Sequence, residues 1–218
     1  MFSIAIDGPA GAGKSTVAKI IAEKLNMVYI DTGAMYRAIT LLALREKAEN
    51  EPEIIKIAEN ININIEDNRI FVGKEDVTDK IRDLLVSQKV SQIAAIPSVR
   101  DIMAKIQRRI AAQNSVVMDG RDIGTTVLPN ARYKFYLTAN LHERAMRRYR
   151  QYNEGKNDIE LSKVEEEIIN RDRLDQERAC SPLAIAKDAI IIDTTDKTIS
   201  EVVNEILNHI DRGEINGL

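Results

Sequence analysis

The nine residues "GPAGAGKST", Gly8–Thr16, lie between the apolar run "FSIAI" at 2–6 and a helical pattern over Val17–Leu25. No other stretch narrows the fold as much. Glycines let a backbone adopt positive φ and turn sharply out of a strand. The helix that follows begins with N–H groups that have no partner inside the helix, and their partial positive charge gathers an anion. The spacing Gly8-x-x-x-x-Gly13-Lys14-Ser15 is the Walker A pattern. Consecutive N–H groups of such a loop form a nest for phosphate oxygens. Lys14 then reaches the β and γ phosphates as a point charge, and the Ser15 hydroxyl is the expected ligand of Mg²⁺. Gly8, Pro9, Ala10, Gly11, Ala12, Gly13, Lys14, Ser15 and Thr16 are therefore the expected triphosphate-binding residues. A plain glycine-rich turn is the rival reading, and the full pattern between strand and helix argues against it.

The 218 residues suffice for a sizeable core and one domain with inserted lobes. With 44% apolar and 30% charged residues the chain is neither disordered nor fibrous. A net charge of −3 makes nucleic acid an unexpected partner, so an anion site has to arise from local clustering. The single Cys180 excludes an internal disulfide framework, and with only two histidines a Cys/His zinc site is not expected. No stretch is long and apolar enough to cross a membrane. The start "MFSIAIDG" lacks the basic segment and cleavage site of a signal peptide, so a cytoplasmic setting is expected.

Apolar runs at 2–6, 27–30, 115–118, 133–137 and 189–192 read as strands buried on both faces, and helical patterns lie between them. The last helix is the clearest. Ile199, Val202, Val203, Ile206, Leu207 and Ile210 follow helical spacing, Thr198 and Glu201 form a capping box, and Gly213 is the expected stop. Strands alternating with helices predict an open, mostly parallel α/β sheet. Two connections are too long for simple crossovers. The one from Asp31 to Asn114 holds a small hairpin, "ININ" and "RIFVG" around "EDN", and a helix over Asp101–Ala112. The other, Leu141 to Leu183, is dense in charge. Long excursions of this kind are usually functional lobes or lids.

Several stretches suit an acceptor and the charge of a transferring phosphate. In "DTGAMYR", Asp31–Arg37, Thr32 is the expected helix cap and Arg37 projects from the second turn; a capped helix with a solvated arginine is the alternative. In "MDGRDIGT", Met118–Thr125, Asp119 resembles a carboxylate that holds magnesium through water. Arg121 can fork onto a phosphate and Asp122 can accept from an amino group, unless the two simply pair. In "RDRLDQERACSPL", Arg171–Leu183, helical spacing puts Arg171, Asp175 and Arg178 on one face, which a surface ion-pair ladder also explains. Arg144, Arg147, Arg148 and Arg150 lead into the charged "QYNEGKND". That segment suits a lid whose closure brings arginines to the phosphate, or a basic helix face.

"GPAGAGKST", "DTGAMYR", "SQIAAIPSVR" (91–100), "DGRDIGT" and "RDRLDQERACSPL" occur in family order, and the chain resembles the bacterial cytidylate kinases of the nucleoside monophosphate kinase family. The resemblance spans nearly the whole chain. It implies an α/β P-loop kinase with a central five-stranded parallel sheet flanked by helices. Residues 1–218 would form one kinase domain, with an inserted monophosphate-binding lobe over 32–113 and a mobile lid with flanking helices over 141–178. It implies that Ser91, Arg100 and Asp122 read the cytosine edge. Thr32, Arg37, Arg121 and Arg171 would sit near the acceptor phosphate, and Asp175 and Arg178 would meet the sugar. Lys14, Arg121, Arg171 and Arg147 are the expected catalytic residues. Mg²⁺ with ATP is the expected donor, CMP or dCMP the acceptor, and a monomer the expected state.

Cytosine donates hydrogen bonds from its exocyclic amine where uracil presents a carbonyl, so a carboxylate at Asp122 discriminates between them. The acceptor phosphate is already anionic near neutral pH and needs no strong base, so rate comes from alignment and charge neutralisation. A small-molecule kinase on the same scaffold would need only one phosphate clamp. A guanine-reading switch would usually carry Asn-Lys-x-Asp, and this sequence has no Asn-Lys pair. His142 and His209 read as surface or helix-end residues, and Cys180 lacks a histidine pattern for nucleophilic work.

Overall fold

In the computed structural model, which describes residues 1–66, 69–154 and 159–211, the opening apolar run forms β1 (Ser3–Asp7), and the glycine loop leads into α1 (Lys14–Lys24). Next come β2 (Val28–Asp31), α2 (Thr32–Arg45), α3 (Glu51–Asn60), β3 (Ile63–Glu66), β4 (Arg69–Val72), β5 (Glu75–Asp76), α4 (Leu84–Ala94) and α5 (Pro97–Ala111). The chain continues through β6 (Val116–Gly120), β7 (Tyr133–Thr138), α6 (Leu141–Glu154), α7 (Leu161–Glu177), β8 (Ile190–Asp193) and α8 (Ile199–Asn208). It divides into two units, residues 1–29 with 114–218, and residues 30–113.

The first unit is organised by a five-stranded parallel sheet of order β2-β6-β1-β7-β8. β1 runs down its middle, with Ile4 beside Val117 of β6 and beside Tyr133 of β7. A central strand is covered on both faces, so it carries no polar alternation, and Ile4, Ala5 and Ile6 are all fully buried. Val17, Ala18 and Ile21 of α1 and Val202, Val203 and Ile206 of α8 cover Ile4, Ile6, Val117, Phe135, Leu137 and Ile192. The spacing of three and four that predicts α8 is the spacing that puts its apolar stripe on this core. Its capping box is formed as expected: the Glu201 N–H donates to Thr198 Oγ1 at 3.3 Å, and the Thr198 N–H donates to Glu201 Oε2 at 2.8 Å. Gly213, the expected stop, lies outside the described residues, as do residues 155–158 of "QYNEGKND" and residues 67–68 of "EDN".

In the second unit β3, β4 and β5 form an antiparallel sheet, so the expected hairpin gains a two-residue third strand. Ile70, Val77 and Ile81 pack with Ala34, Ala38 and Leu41 of α2 and Val86 of α4. α5 begins four residues before the expected Asp101, because Pro97 supplies a helical φ at a position that needs no N–H. The expected cap at Thr32 is corrected. Asp31 caps α2, its Oδ1 accepting the Ala34 N–H at 2.7 Å, and Thr32 is the first residue inside the helix. A carboxylate at the strand end reaches the third N–H of the helix and outcompetes the hydroxyl one residue later.

One buried carboxylate fixes the turn that follows β6. Asp7, the last residue of β1, accepts the Ile123 N–H at 2.8 Å and the Gly124 N–H at 2.7 Å, at the start of a single π-helical turn over Ile123–Val127. Burial pushes this carboxyl up from 3.8 to about 6, against the pull of those two N–H groups; the Asp122 charge raises it further and Lys14 opposes. The folded chain therefore keeps a proton on Asp7 that the unfolded chain has released between those two values. Stability falls as pH rises through that window, by up to about 3 kcal/mol from this group. Asp7→Asn cannot ionise. Chemical denaturation of both proteins from pH 4 to pH 7 should show the wild type losing ground to the variant as pH climbs, and a pH-independent difference would refute the assignment.

Candidate active site

The phosphate loop is shaped by how closely it approaches its neighbours. Gly8 has φ 147°, and a Cβ there would stand 2.0 Å from the Leu137 carbonyl oxygen of β7. Gly11 has φ 75°, and its Cβ would stand 2.7 Å from the backbone oxygen of Arg144 on α6. Neither position accepts a side chain without moving backbone. Lys14 opens α1 and turns back over the loop, its Nζ donating to the Pro9 carbonyl at 2.7 Å. Burial pulls this ammonium down to about 7, and the charges of Arg121 and Arg171 pull the same way; Asp119 and Asp7 partly offset them. The repulsion among these three cations, only partly offset by the carboxylates, is what a polyphosphate would relieve.

Asp119 sits inside β6, almost fully buried, rather than just beyond its end. Its Oδ2 accepts from Ser15 Oγ and its Oδ1 from the Tyr29 hydroxyl, each at 2.9 Å. A hydroxyl beside a buried carboxylate, all oxygen, is a donor set that suits Mg²⁺, an ion that keeps several waters and takes its remaining ligands from phosphate. Among the described residues no cluster of three His, Cys, Asp or Glu forms a self-contained metal site. Tyr29 escapes sequence reading because only the pairing of β2 beside β6 brings it to Asp119.

A charge cluster follows β6. Arg121 Nε donates to Asp175 Oδ2 of α7 at 2.8 Å, and Arg121 Nη1 to the Gly120 carbonyl at 3.3 Å. Arg178 Nη2 lies 3.6 Å from Asp122 Oδ1, and its Nη1 lies 3.7 Å from Asp175 Oδ1. Arg121 and Asp122 thus each pair with the chain beyond residue 170. Burial alone would raise the Asp175 carboxyl, but Arg121, Arg171 and Arg178 outweigh it and hold it below its usual range. Burial also weakens the Arg121 cation, yet Asp175 and the charges of Asp172 and Asp119 leave its pKa raised. The single helix face expected for Arg171, Asp175 and Arg178 is half right: α7 ends at Glu177, and Arg178 is an extended residue just past it. Its guanidinium turns back because Nε donates to the Ser181 carbonyl at 2.5 Å.

On α6, Arg147 donates through Nη1 to Thr194 Oγ1 at 2.9 Å and through Nη2 to the Thr194 carbonyl at 2.7 Å. Thr194, buried beyond β8, also donates to the Ala12 carbonyl at 3.3 Å. A pocket of about 430 Å³ opens here, walled by Gly13 and Thr16 of the phosphate loop, Arg147 and Arg150 of α6, and Lys197 and Val202 near α8. The sequence offers no motif for Thr194 or Lys197; their place follows from β8 lying beside β7. Arg144 and Asp172 pair with each other and with Ala10. His142 Nδ1 lies 3.2 Å from Glu165 Oε1 at an exposed position, and His209 caps α8 against Phe135. The Cys180 sulfur has the Ser181 hydroxyl 3.6 Å away.

In the second unit, Thr32 is buried at the start of α2 and Arg37 Nη2 pairs with Asp31 Oδ2 at 3.0 Å. Arg100, on α5, is 4% exposed; its Nη1 donates to the Ala94 carbonyl at 3.1 Å and its guanidinium carbon lies 5.4 Å from the Tyr36 ring centre. Ser91 lies half-buried on α4.

A family profile described as cytidylate kinase matches residues 4–212. The cytidylate kinase of Caldanaerobacter subterraneus subsp. tengcongensis is 53% identical over 217 residues, covering 97% of each chain. That of Clostridioides difficile is 52% identical over 210 residues, covering 95% of this chain and 97% of its own. A crystal structure of an uncharacterized protein from Eubacterium ventriosum superposes with a TM-score of 0.56 at 13% identity, covering 97% of this chain and 99% of that one, a likeness of fold. A profile match across almost every residue, joined by relatives half identical along nearly their full length, shows that the chain belongs to the cytidylate kinase family.

Proposed function

We propose that the protein transfers the γ-phosphate of ATP to CMP or dCMP, giving ADP and CDP or dCDP, in pyrimidine nucleotide metabolism. The observation that carries this reading is a Walker A loop whose Ser15 hydroxyl donates to Asp119 of β6, with Arg121 and Asp122 just beyond that strand held by Asp175 and Arg178 from a distant segment. A hydrolytic switch has no use for acceptor-side arginines held this way.

Gly8 to Thr16 take the triphosphate, and the pocket beside Arg147 and Lys197 takes the donor's nucleoside. Ser15, with Asp119 behind it, would hold the donor's Mg²⁺, which screens the polyphosphate charge when bound. In the first unit Arg121 and Arg171 serve the transferring phosphate, Asp122 the cytosine amine, and Asp175 and Arg178 the sugar. Residues 32–113 act as the monophosphate-binding lobe, with Thr32 and Arg37 toward the phosphate and Ser91 and Arg100 toward the base. Residues 141–178 act as lid and flanking helices, from which Arg147 supports transfer. An acceptor oxygen, already anionic, attacks the γ-phosphorus in line as the bond to the ADP oxygen breaks. No side chain removes a proton, so the chain's work is to align two anions and stabilise the charge that spreads between them. Among the described residues no helix is long and apolar enough to cross a membrane. A monomer in the cytoplasm is the proposed state.

A coupled ADP-release assay across CMP, dCMP, UMP, AMP and shikimate tests the reading: CMP and dCMP should drive fast turnover, and acceptor-independent hydrolysis or a preference for AMP would overturn it. Lys14→Met should lower turnover about 10²–10³-fold with little loss of stability, the cost typical of removing one preorganised electrostatic donor. Because burial and the neighbouring guanidinium charges pull Lys14 down to about 7, bound phosphate charge should raise it again. Calorimetry at pH 8 in buffers of different ionisation enthalpy should therefore record proton uptake on binding Mg·ADP, absent in Lys14→Met. Asp122→Asn should cut kcat/KM for CMP about 10²-fold and narrow the preference over UMP, since a polar match made in a buried site discriminates strongly. An unchanged CMP:UMP ratio would remove Asp122 from base reading.

A further inference from the structure

Ala10 lies at the outer turn of the phosphate loop, and both of its backbone polar groups are taken by side chains from elsewhere. Its N–H donates to Asp172 Oδ1 of α7 at 3.1 Å, and its carbonyl accepts from Arg144 Nη1 of α6 at 3.1 Å. The same Nη1 is joined to Asp172 Oδ2, and Arg144 Nε donates to the Ala139 carbonyl at 3.1 Å. The two side chains are nearly buried, 11% and 14% exposed. Next to Ala10, the loop lies so close to α6 that Gly11 has no room for a Cβ.

A buried ion pair is by itself weak evidence for stability, since apolar side chains of similar size would join the two helices as well. Apolar side chains would not satisfy Ala10. Only an acceptor and a donor, held together, can take an N–H and a C=O of one residue. The grip also reaches the reacting cations. Arg171 precedes Asp172 in the chain and its charge is felt at Lys14. Asp175, one turn further along α7, holds Arg121. The Asp172 charge contributes to holding Arg121 protonated.

We infer that Asp172 and Arg144 are positioning residues for phosphoryl transfer, locking the outer turn of the phosphate loop and the C-terminal half of α7 in one register so that Arg171 and Arg121 meet the phosphate that Lys14 holds. This rests on the kinase reading above. The pairing serves two ends. Asp172 spends its charge on Arg144, so it does not repel the polyphosphate beside it. Arg144 in turn keeps the carboxylate aimed at Ala10.

Asp172→Ala, Asp172→Asn and Arg144→Met separate this role from a structural one. Asn keeps a carbonyl oxygen for the Ala10 N–H, and Met keeps the stem of Arg144 without the guanidinium. Amide hydrogen exchange at Ala10 should quicken in Asp172→Ala and stay near wild type in Asp172→Asn. With CMP, measured well below each variant's unfolding temperature, Asp172→Ala should lose about 30–100-fold in kcat with KM for both nucleotides within about threefold, the size of loss expected from small misplacements of reacting groups. Asp172→Asn should recover at least about tenfold of that, and Arg144→Met should fall between the two. Unchanged Ala10 exchange, a kcat within about threefold of wild type in Asp172→Ala, a loss carried by KM, or an Asn variant no better than Ala would each overturn the proposal. Should Asp172→Ala not fold, Arg144→Met takes its place: Ala10 exchange should quicken and kcat should fall by more than about threefold, both more than in Asp172→Asn, and unchanged exchange or a kcat within about threefold of wild type in Arg144→Met would overturn the proposal. If wild type itself makes no ADP in response to CMP, the kinase reading fails, and the exchange data still report on the grip.

Discussion

Lys14 is a desolvated cation with two guanidinium charges bearing on it, and the arrangement of the first unit follows from tolerating that. Like charges crowded in a buried site cost free energy unless carboxylates stand near or an anion enters. The chain supplies the carboxylates. Carboxylates at Asp7 and Asp119 face Lys14, and Asp175 holds Arg121.

The same carboxylates act as mechanical ties. Asp7 sets the turn after β6, Asp119 ties Ser15 to Tyr29, Asp172 holds the outer turn of the loop, and Asp175 joins Arg121 to α7. Each ion or hydrogen bond spans a long sequence separation. This pattern explains why so many acids are buried in a chain whose net charge is small. They do not neutralise a surface; each one orients a particular cation or backbone group.

The strands, the phosphate loop and the terminal helix were legible from sequence because their causes are local. Runs of consecutive apolar residues identify β1 and β6, and a spacing of three and four identifies α8. Local reasoning also produced its characteristic errors. Thr32 looked like a cap because hydroxyls often are, but Asp31 has the longer reach and the charge. Arg178 looked helical from its distance to Arg171, although the backbone had already left the helix.

By itself, the sequence determined that a strand, a glycine-rich loop and a helix follow one another, that Lys14 and Ser15 stand where that loop enters the helix, and that the sheet is buried on both faces. Those conclusions need only backbone sterics, helix periodicity and the burial of apolar runs. Tertiary structure alone decided that Tyr29 meets Asp119, that Thr194 meets Arg147, and that Asp172 and Arg144 take both polar groups of Ala10. Such pairings join residues from about fifty to more than a hundred and sixty positions apart, and no short-range pattern encodes them. They exist because strand order and helix packing bring the segments together, after which buried polar groups must find whichever partners lie within reach.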